Sequence, residues 1–171
     1  MSHGGTIAET DRLIIRLLSE ADVPAIAAMW CDEKVTRFMG GPRSFDKVVA
    51  SLKEDLAPAI PRSFELWPVE EKDTRQVIGQ CGLLRKQIGD HTEVELIYVL
   101  ASDYWGRGYA TEAASAVCDH GLQRLGCKRL VSLIAPQNAA SERVAEKVGM
   151  TFEADIIRPN GKRMRLYAIS T

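Results

Sequence analysis

The chain lacks any apolar run that approaches the roughly 20 residues of a membrane-spanning helix, and Met1-Ser2-His3-Gly4-Gly5 at its start has neither the charged nor the apolar region of a signal peptide. Neither sign of charge prevails. Lys and Arg number 22 against 23 Asp and Glu, a formal charge of -1, so there is no surplus of cations to attract nucleic acid or an anionic membrane. Histidine is confined to His3, His91 and His120, scattered along the chain, and Cys31, Cys81, Cys118 and Cys127 show no Cys-x-x-Cys spacing. No metal centre and no disulfide framework are expected, reduced buried thiols are, and the cytoplasm is the simplest compartment. Low-complexity linkers and internal repeats are also absent, so 1–171 is expected to form a single domain, long enough to bury about 70% of the surface its unfolded chain exposes.

What is present is an alternation of strand and helix signals. Leu13 to Leu18 reads as a strand, Ser19 caps a helix toward Trp30, and Ser44 caps another toward Leu56 before Pro58 and Pro61 break it. Phe64 to Val69 and Gln76 to Arg85 read as strands flanking the polar Glu71-Lys72-Asp73-Thr74 turn, and Gly89-Asp90 leads into a strand ending at Leu100. A central helix follows, then an apolar strand from Arg129 to Ala135, a short helix ending at Gly149, and two strands flanking the hairpin dipeptide Asn160-Gly161.

The most informative stretch is Asp103-Tyr104-Trp105-Gly106-Arg107-Gly108-Tyr109-Ala110-Thr111-Glu112-Ala113. It joins the β-branched run Val94 to Leu100 to an Ala-rich helix that starts near Gly108. The first N–H groups of that helix have no intrahelical partner and the helix dipole is positive at this end, so a phosphate group held there satisfies both. The plain alternative is a tight strand-to-helix turn. A P-loop is excluded, because no Gly-Lys-Ser/Thr triplet occurs in the chain, and the dinucleotide fingerprint fails because Thr111 stands at its third glycine.

The stretch resembles the acyl-CoA signature of the GCN5-related N-acetyltransferases (GNAT), Gln/Arg-x-x-Gly-x-Gly/Ala, with Trp105, Gly108 and Ala110 in its defined positions. Trp105 departs from the usual Gln or Arg, as in the branch that resembles ribosomal-protein N-terminal acetyltransferases. A second segment, Pro136 to Met150, resembles the same family, with Asn138, Lys147, Gly149 and Met150 in its expected places. The resemblance implies an α/β (α+β) fold from about residue 10 to 170, with a mixed, mostly antiparallel sheet, helices on both faces and a splayed central strand pair. It further implies that acetyl-CoA lies in that opening as a pseudo-strand, held by the backbone of Tyr98, Val99 and Leu100, by the loop Trp105, Gly106, Arg107, Gly108, Tyr109, Ala110 and Thr111, and by Asn138 on the pantetheine arm. A β-bulge is expected to splay the first strand of the pair. Read by itself, Asn138 is a helix N-cap.

Acetyl transfer to an amine needs a base for the ammonium proton and a donor for the departing thiolate. A lysine-like amine is neutral in only about one part in a few thousand at pH 7, given a reference pKa of about 10.4. In many family members a Tyr seven residues after the Asn supplies the thiolate donor, and that place is Ala145 here. The branch resemblance assigns the role to Ser141, against which stands an exposed helix serine with no role. Glu95 is the candidate base, since a carboxylate inside an apolar run needs a reason. Alternation that places Glu93 and Glu95 on a solvated face is the equal alternative. The acceptor pocket is expected from Trp30, Phe38, Met39 and the segment Arg158 to Arg163, with Trp30 equally readable as core. The reading is an acetyl-CoA-dependent N-acetyltransferase acting on a protein N-terminus or small-molecule amine by direct ternary-complex transfer, as a monomer or homodimer; the alternative is a non-catalytic acyl-CoA-binding sensor module.

Overall fold

The computed structural model describes residues 5–57 and 63–171, so the helix break expected at Pro58 and Pro61 lies outside the described residues. In chain order the elements are β1 (Thr6–Glu9), β2 (Leu13–Arg16), α1 (Val23–Cys31), α2 (Glu33–Thr36), α3 (Phe45–Leu56), β3 (Leu66–Glu71) and β4 (Val77–Ile88). They continue with β5 (His91–Leu100), α4 (Tyr109–Asp119), β6 (Arg129–Ile134), α5 (Ala139–Val148), β7 (Thr151–Ile157) and β8 (Arg163–Ser170). One eight-stranded sheet has the order β1-β2-β3-β4-β5-β6-β8-β7, antiparallel except at β5–β6. β1 and the four-residue α2 carry too few residues for periodicity and go unread in the sequence.

Helices cover both faces. On one, Ala113, Ala114 and Val117 of α4 and Ala145 of α5 pack on Leu13, Ile15, Trp67, Val69 and Leu96. On the other, Ile26, Ala27 and Trp30 of α1 and Val48 and Leu52 of α3 pack with Val99. The small residues of α4 let it lie close to the sheet, where each buried side chain contributes about 1.5–3 kcal/mol for a Val or Leu.

The feature that positions the site is the join between β5 and β6. These parallel strands share one ladder position, Glu95 opposite Val131. Just beyond it the Ser132 hydroxyl donates to the Leu96 carbonyl at 2.8 Å, and no further ladder pair follows. The expected bulge in β5 is a correction: β5 pairs with β4 in unbroken register from His91 to Leu100. The splay comes instead from β6 leaving the ladder.

A buried ion network anchors α1 to the opposite end of the sheet. Asp22, buried, accepts from both terminal nitrogens of Arg16 at 2.8 and 2.9 Å, and Arg16 Nε donates to buried Glu70 at 2.7 Å. Burial works against the charged Asp22, yet the hydrogen bonds from Arg16 and Ser19 outweigh it and hold its pKa below the usual value of 3.8. Asp22→Ala is expected to destabilise the fold by about 3 kcal/mol at pH 7, because it leaves both terminal nitrogens of a largely buried guanidinium without their carboxylate, Glu70 pairing only Nε. The Asp22 contribution is present above the unfolded pKa and is lost as pH falls through the folded one, so the gap between variant and wild type should narrow toward acid. Urea unfolding at pH 7 and pH 3 measures both; equal midpoints at pH 7 would show the network to be idle.

Candidate active site

The opening between β5 and β6 leads into a cavity of about 770 Å³. Its walls include Tyr98, Val99 and Leu100 from β5, Trp105, Gly106 and Gly108 from the loop, and Tyr109, Ala110 and Thr111 from α4. Asn138 and Ser141 of α5 stand opposite, with Phe38 and Met39 nearby. These expected residues are therefore brought together.

Backbone direction decides which strand groups face the opening. Ala101 N–H donates to Ile78 on β4, and the Leu96 carbonyl accepts from β6. Successive residues of a strand alternate the side to which their N–H and C=O point. Tyr98 and Leu100 thus turn their backbone groups toward the opening, while those of Val99 turn to β4, a correction to the expected role of Val99. The Leu100 carbonyl is already taken by the Trp105 indole N–H at 2.9 Å. That bond holds Trp105, half exposed, against the rim.

The loop is shaped for close approach. Gly106 and Gly108 have φ of +74° and +81°, a left-handed conformation in which side chains are disfavoured. Glu112 N–H makes the first helical bond, to the Gly108 carbonyl at 3.1 Å. The N–H groups of Tyr109, Ala110 and Thr111 precede it and point out of the helix start. Arg107 does not line the cavity: its guanidinium lies over the Tyr104 ring, and its carbonyl accepts from Arg12 at 2.9 Å.

Arg12 is a brace that sequence reading missed. Its Nε donates to Glu112 at 2.7 Å, its backbone N–H donates to the other oxygen at 3.0 Å, and its guanidinium covers Tyr109 at 4.3 Å. The Thr10 hydroxyl also donates to Glu112. The Tyr109 hydroxyl donates to Glu71, and this bond pulls the Glu71 carboxyl below its usual pKa. The β1–β2 and β3–β4 turns thus clamp the first turn of α4.

On α5, the Asn138 side chain caps the helix by accepting from Ser141 N–H, and its amide donates to Ser141 Oγ. The Tyr98 hydroxyl donates to the Ser141 carbonyl at 2.8 Å. Burial pushes the Tyr98 pKa upward, so this hydroxyl keeps its proton. Four cations, Lys34 and Arg37 near α2 with Arg143 and Lys147 on α5, line the same cavity against one carboxylate, Glu33. On α5, Ala140, Arg143, Val144 and Lys147 follow Asn138 at helical spacing, a signal that was available in the sequence. The α2 residues had none.

Besides Arg107, two more expected site residues lie outside this cavity. Trp30 is buried, donates its indole N–H to Gln80 at 2.8 Å beneath the Arg43 guanidinium, and lines a separate cavity of about 590 Å³ between α1, α3, β3 and β4. Glu95 does not line the main cavity either. It is buried on the α1–α3 face at the apex of the opening, accepts from Leu133 N–H, and has Lys86 Nζ at 3.6 Å. The solvated-face alternative fails on that burial, although Glu95 does share its face with Glu93. The segment Arg158 to Arg163 turns through a three-residue loop with Gly161 at φ +78°. Among the described residues no helix is long and apolar enough to cross a membrane, and no cluster of three His, Cys, Asp or Glu residues gathers for a metal.

Comparison with known proteins agrees with this geometry. Residues 12–151 match the acetyltransferase (GNAT) domain model. The chain is 30% identical over 149 residues to the uncharacterized N-acetyltransferase YoaA of Bacillus subtilis, covering 86% of this chain and 84% of YoaA. Its fold superposes on a GNAT-family acetyltransferase from Bacillus anthracis with a TM-score of 0.81 at 25% identity, covering 95% and 97% of the two chains. RimL, a ribosomal L7/L12 α-N-protein acetyltransferase solved with coenzyme A, shares the fold at a TM-score of 0.78 and 19% identity, over 96% and 97%. With the family model spanning most of its length and the split sheet and glycine loop in place, the chain belongs to the acetyltransferase (GNAT) domain family and is an acetyltransferase.

Proposed function

We propose that the protein transfers acetyl from acetyl-CoA to a primary amine, a protein N-terminus or a small-molecule amine, directly within a ternary complex. The observation that carries this reading is the continuity of one cavity, from backbone groups of Tyr98 and Leu100 in the split sheet to the glycine loop at the start of α4. Acetyl-CoA supplies the activated acyl group as a thioester. The loop N–H groups take its pyrophosphate, and the four cavity cations suit its phosphate charge. Tyr98 N–H faces the place where oxyanion charge develops. As the C–N bond forms and the C–S bond breaks, the Ser141 hydroxyl donates a hydrogen bond to the departing sulfur, and Glu95, from the α1–α3 face, receives the amine proton directly or through water. Phe38 and Met39 bound the acceptor side of the same cavity, and a cytoplasmic site of action fits the reading.

Release of free thiol from acetyl-CoA over a panel of peptides, polyamines, amino-acid derivatives and aminoglycosides tests the proposal. The fold likeness to RimL makes a protein N-terminus one arm of that panel. Saturable acetyl-CoA binding without thiol release from any acceptor would favour the sensor alternative.

Glu95→Gln keeps an acceptor for the Leu133 N–H while removing the base. kcat is expected to fall roughly 100-fold at neutral pH and partly recover as pH rises and free amine accumulates. Burial raises the Glu95 pKa above 4.5, with Lys86 and Arg158 opposing, which brings the base nearer neutrality. That protonated-form stability is present below the unfolded pKa and is lost as pH rises through the folded one, so the variant should melt no lower than wild type at pH 7. A pH-rate profile parallel to wild type and equal in height would place the base elsewhere.

A further inference from the structure

The Asn138 side chain spends both ends of its amide on one residue. Its Oδ1 accepts from Ser141 N–H at 3.2 Å, and its Nδ2 donates to Ser141 Oγ at 3.0 Å. The first bond dictates the second. A backbone N–H only donates, so the amide oxygen must face it, and the amide nitrogen is left facing the hydroxyl. Since that nitrogen also only donates, Oγ is the acceptor there and its own proton must point elsewhere. Among the described residues Ser141 Oγ donates to no protein group. Ser141 lines the main cavity, and Tyr98 pins its carbonyl from the β5 side.

We propose that Asn138 is a positioning residue that makes the Ser141 hydroxyl a one-way donor, with its proton aimed into the cavity at the departing sulfur. This rests on the Ser141 role given above. No atom is transferred by Asn138 itself; it removes the alternative in which Ser141 Oγ donates to its own helix cap and presents only lone pairs to the sulfur.

Asn138→Asp isolates the effect. Asp caps a helix as well as Asn and still accepts from Ser141 N–H, but its second oxygen accepts where the amide donated, so the serine proton turns toward the carboxylate. With acetyl-CoA saturating, the kcat of Asn138→Asp is expected to fall to within about threefold of Ser141→Ala, whatever the change in acetyl-CoA affinity. Adding Asn138→Asp to Ser141→Ala should change kcat by less than about twofold, because the two changes remove one and the same hydrogen bond. A double variant much slower than Ser141→Ala would mean that the new charge acts on the sulfur by itself, and would overturn the proposal. So would wild-type kcat in Asn138→Asp alongside a slow Ser141→Ala, which leaves the Ser141 role standing. A silent Ser141→Ala removes the Ser141 role and this inference together.

Discussion

Acetyl-CoA affinity is expected to fall at least roughly 100-fold in Gly108→Asp, since a carboxylate a few ångströms from a phosphate costs several kcal/mol at the effective dielectric of a protein surface. Gly108 sits at φ +81°, and Asp tolerates that left-handed region better than most residues, so the fold should survive. A Cβ there meets only Arg12 Nη2, at 3.4 Å, which the new carboxylate can draw away from Glu112 and so loosen the brace under the loop. Gly108→Asn has the same shape without the charge and should lose much less. Calorimetry on the two folded variants separates bulk from charge. Wild-type affinity in Gly108→Asp would remove the pyrophosphate from this loop.

The second large effect is on turnover. Ser141→Ala is expected to lower kcat by about ten- to a thousandfold with acetyl-CoA affinity little changed, since the lost hydrogen bond strengthens only as sulfur gains charge. The variant keeps its helix cap, because Asn138 bonds the backbone N–H of residue 141 and not only the hydroxyl. Ala145 cannot compensate: it is buried against the sheet and carries no donor. Thiol release with the best acceptor, compared with binding by calorimetry, gives the result; unchanged turnover would leave Ser141 as a polar residue of its helix.

The parts of the site legible in sequence were those built from local chemistry. Gly106 and Gly108 announce a loop that needs left-handed backbone, and Asn138 announces a helix start, whatever surrounds them. The parts that went unread depend on distant partners. α2 starts at a local N-cap, Asp32, whose carboxylate accepts from Lys34 N–H, but a four-residue helix carries no periodicity, and its place over the cavity depends on Ser102, 70 residues away in sequence, which donates to the same carboxylate. Arg12 looks like any charged turn residue until Glu112 is placed beside it. Trp30 was legible as apolar but not as to which cavity it meets, because helix periodicity tells which face is buried and not against what. Alternation placed Glu93 and Glu95 on one face, yet only the third dimension shows that Glu95 is 7% exposed with β6 across from it.

The separation of β6 from β5 gives the sheet an unusual kind of boundary. Sheets ordinarily expose unpaired backbone only at their outermost strands, where charge, shortness or a cover keeps other chains from adding on. Here two such borders lie inside the molecule, sharing one ladder position where Glu95 stands opposite Val131 and a Ser132–Leu96 bond beside it. The five strands on one side and the three on the other are thus joined by few backbone bonds along this line, although one core cluster with Leu13, Leu130 and Tyr167 spans both. On the proposed reading, a donor arm bonded along the β5 border would add stability to the native state by mass action, about 2.7 kcal/mol at a hundredfold excess over Kd. If acetyl-CoA is the donor, as proposed, the enzyme would be sturdiest when that donor is plentiful, and a shortage would leave bare strand borders in the middle of the fold.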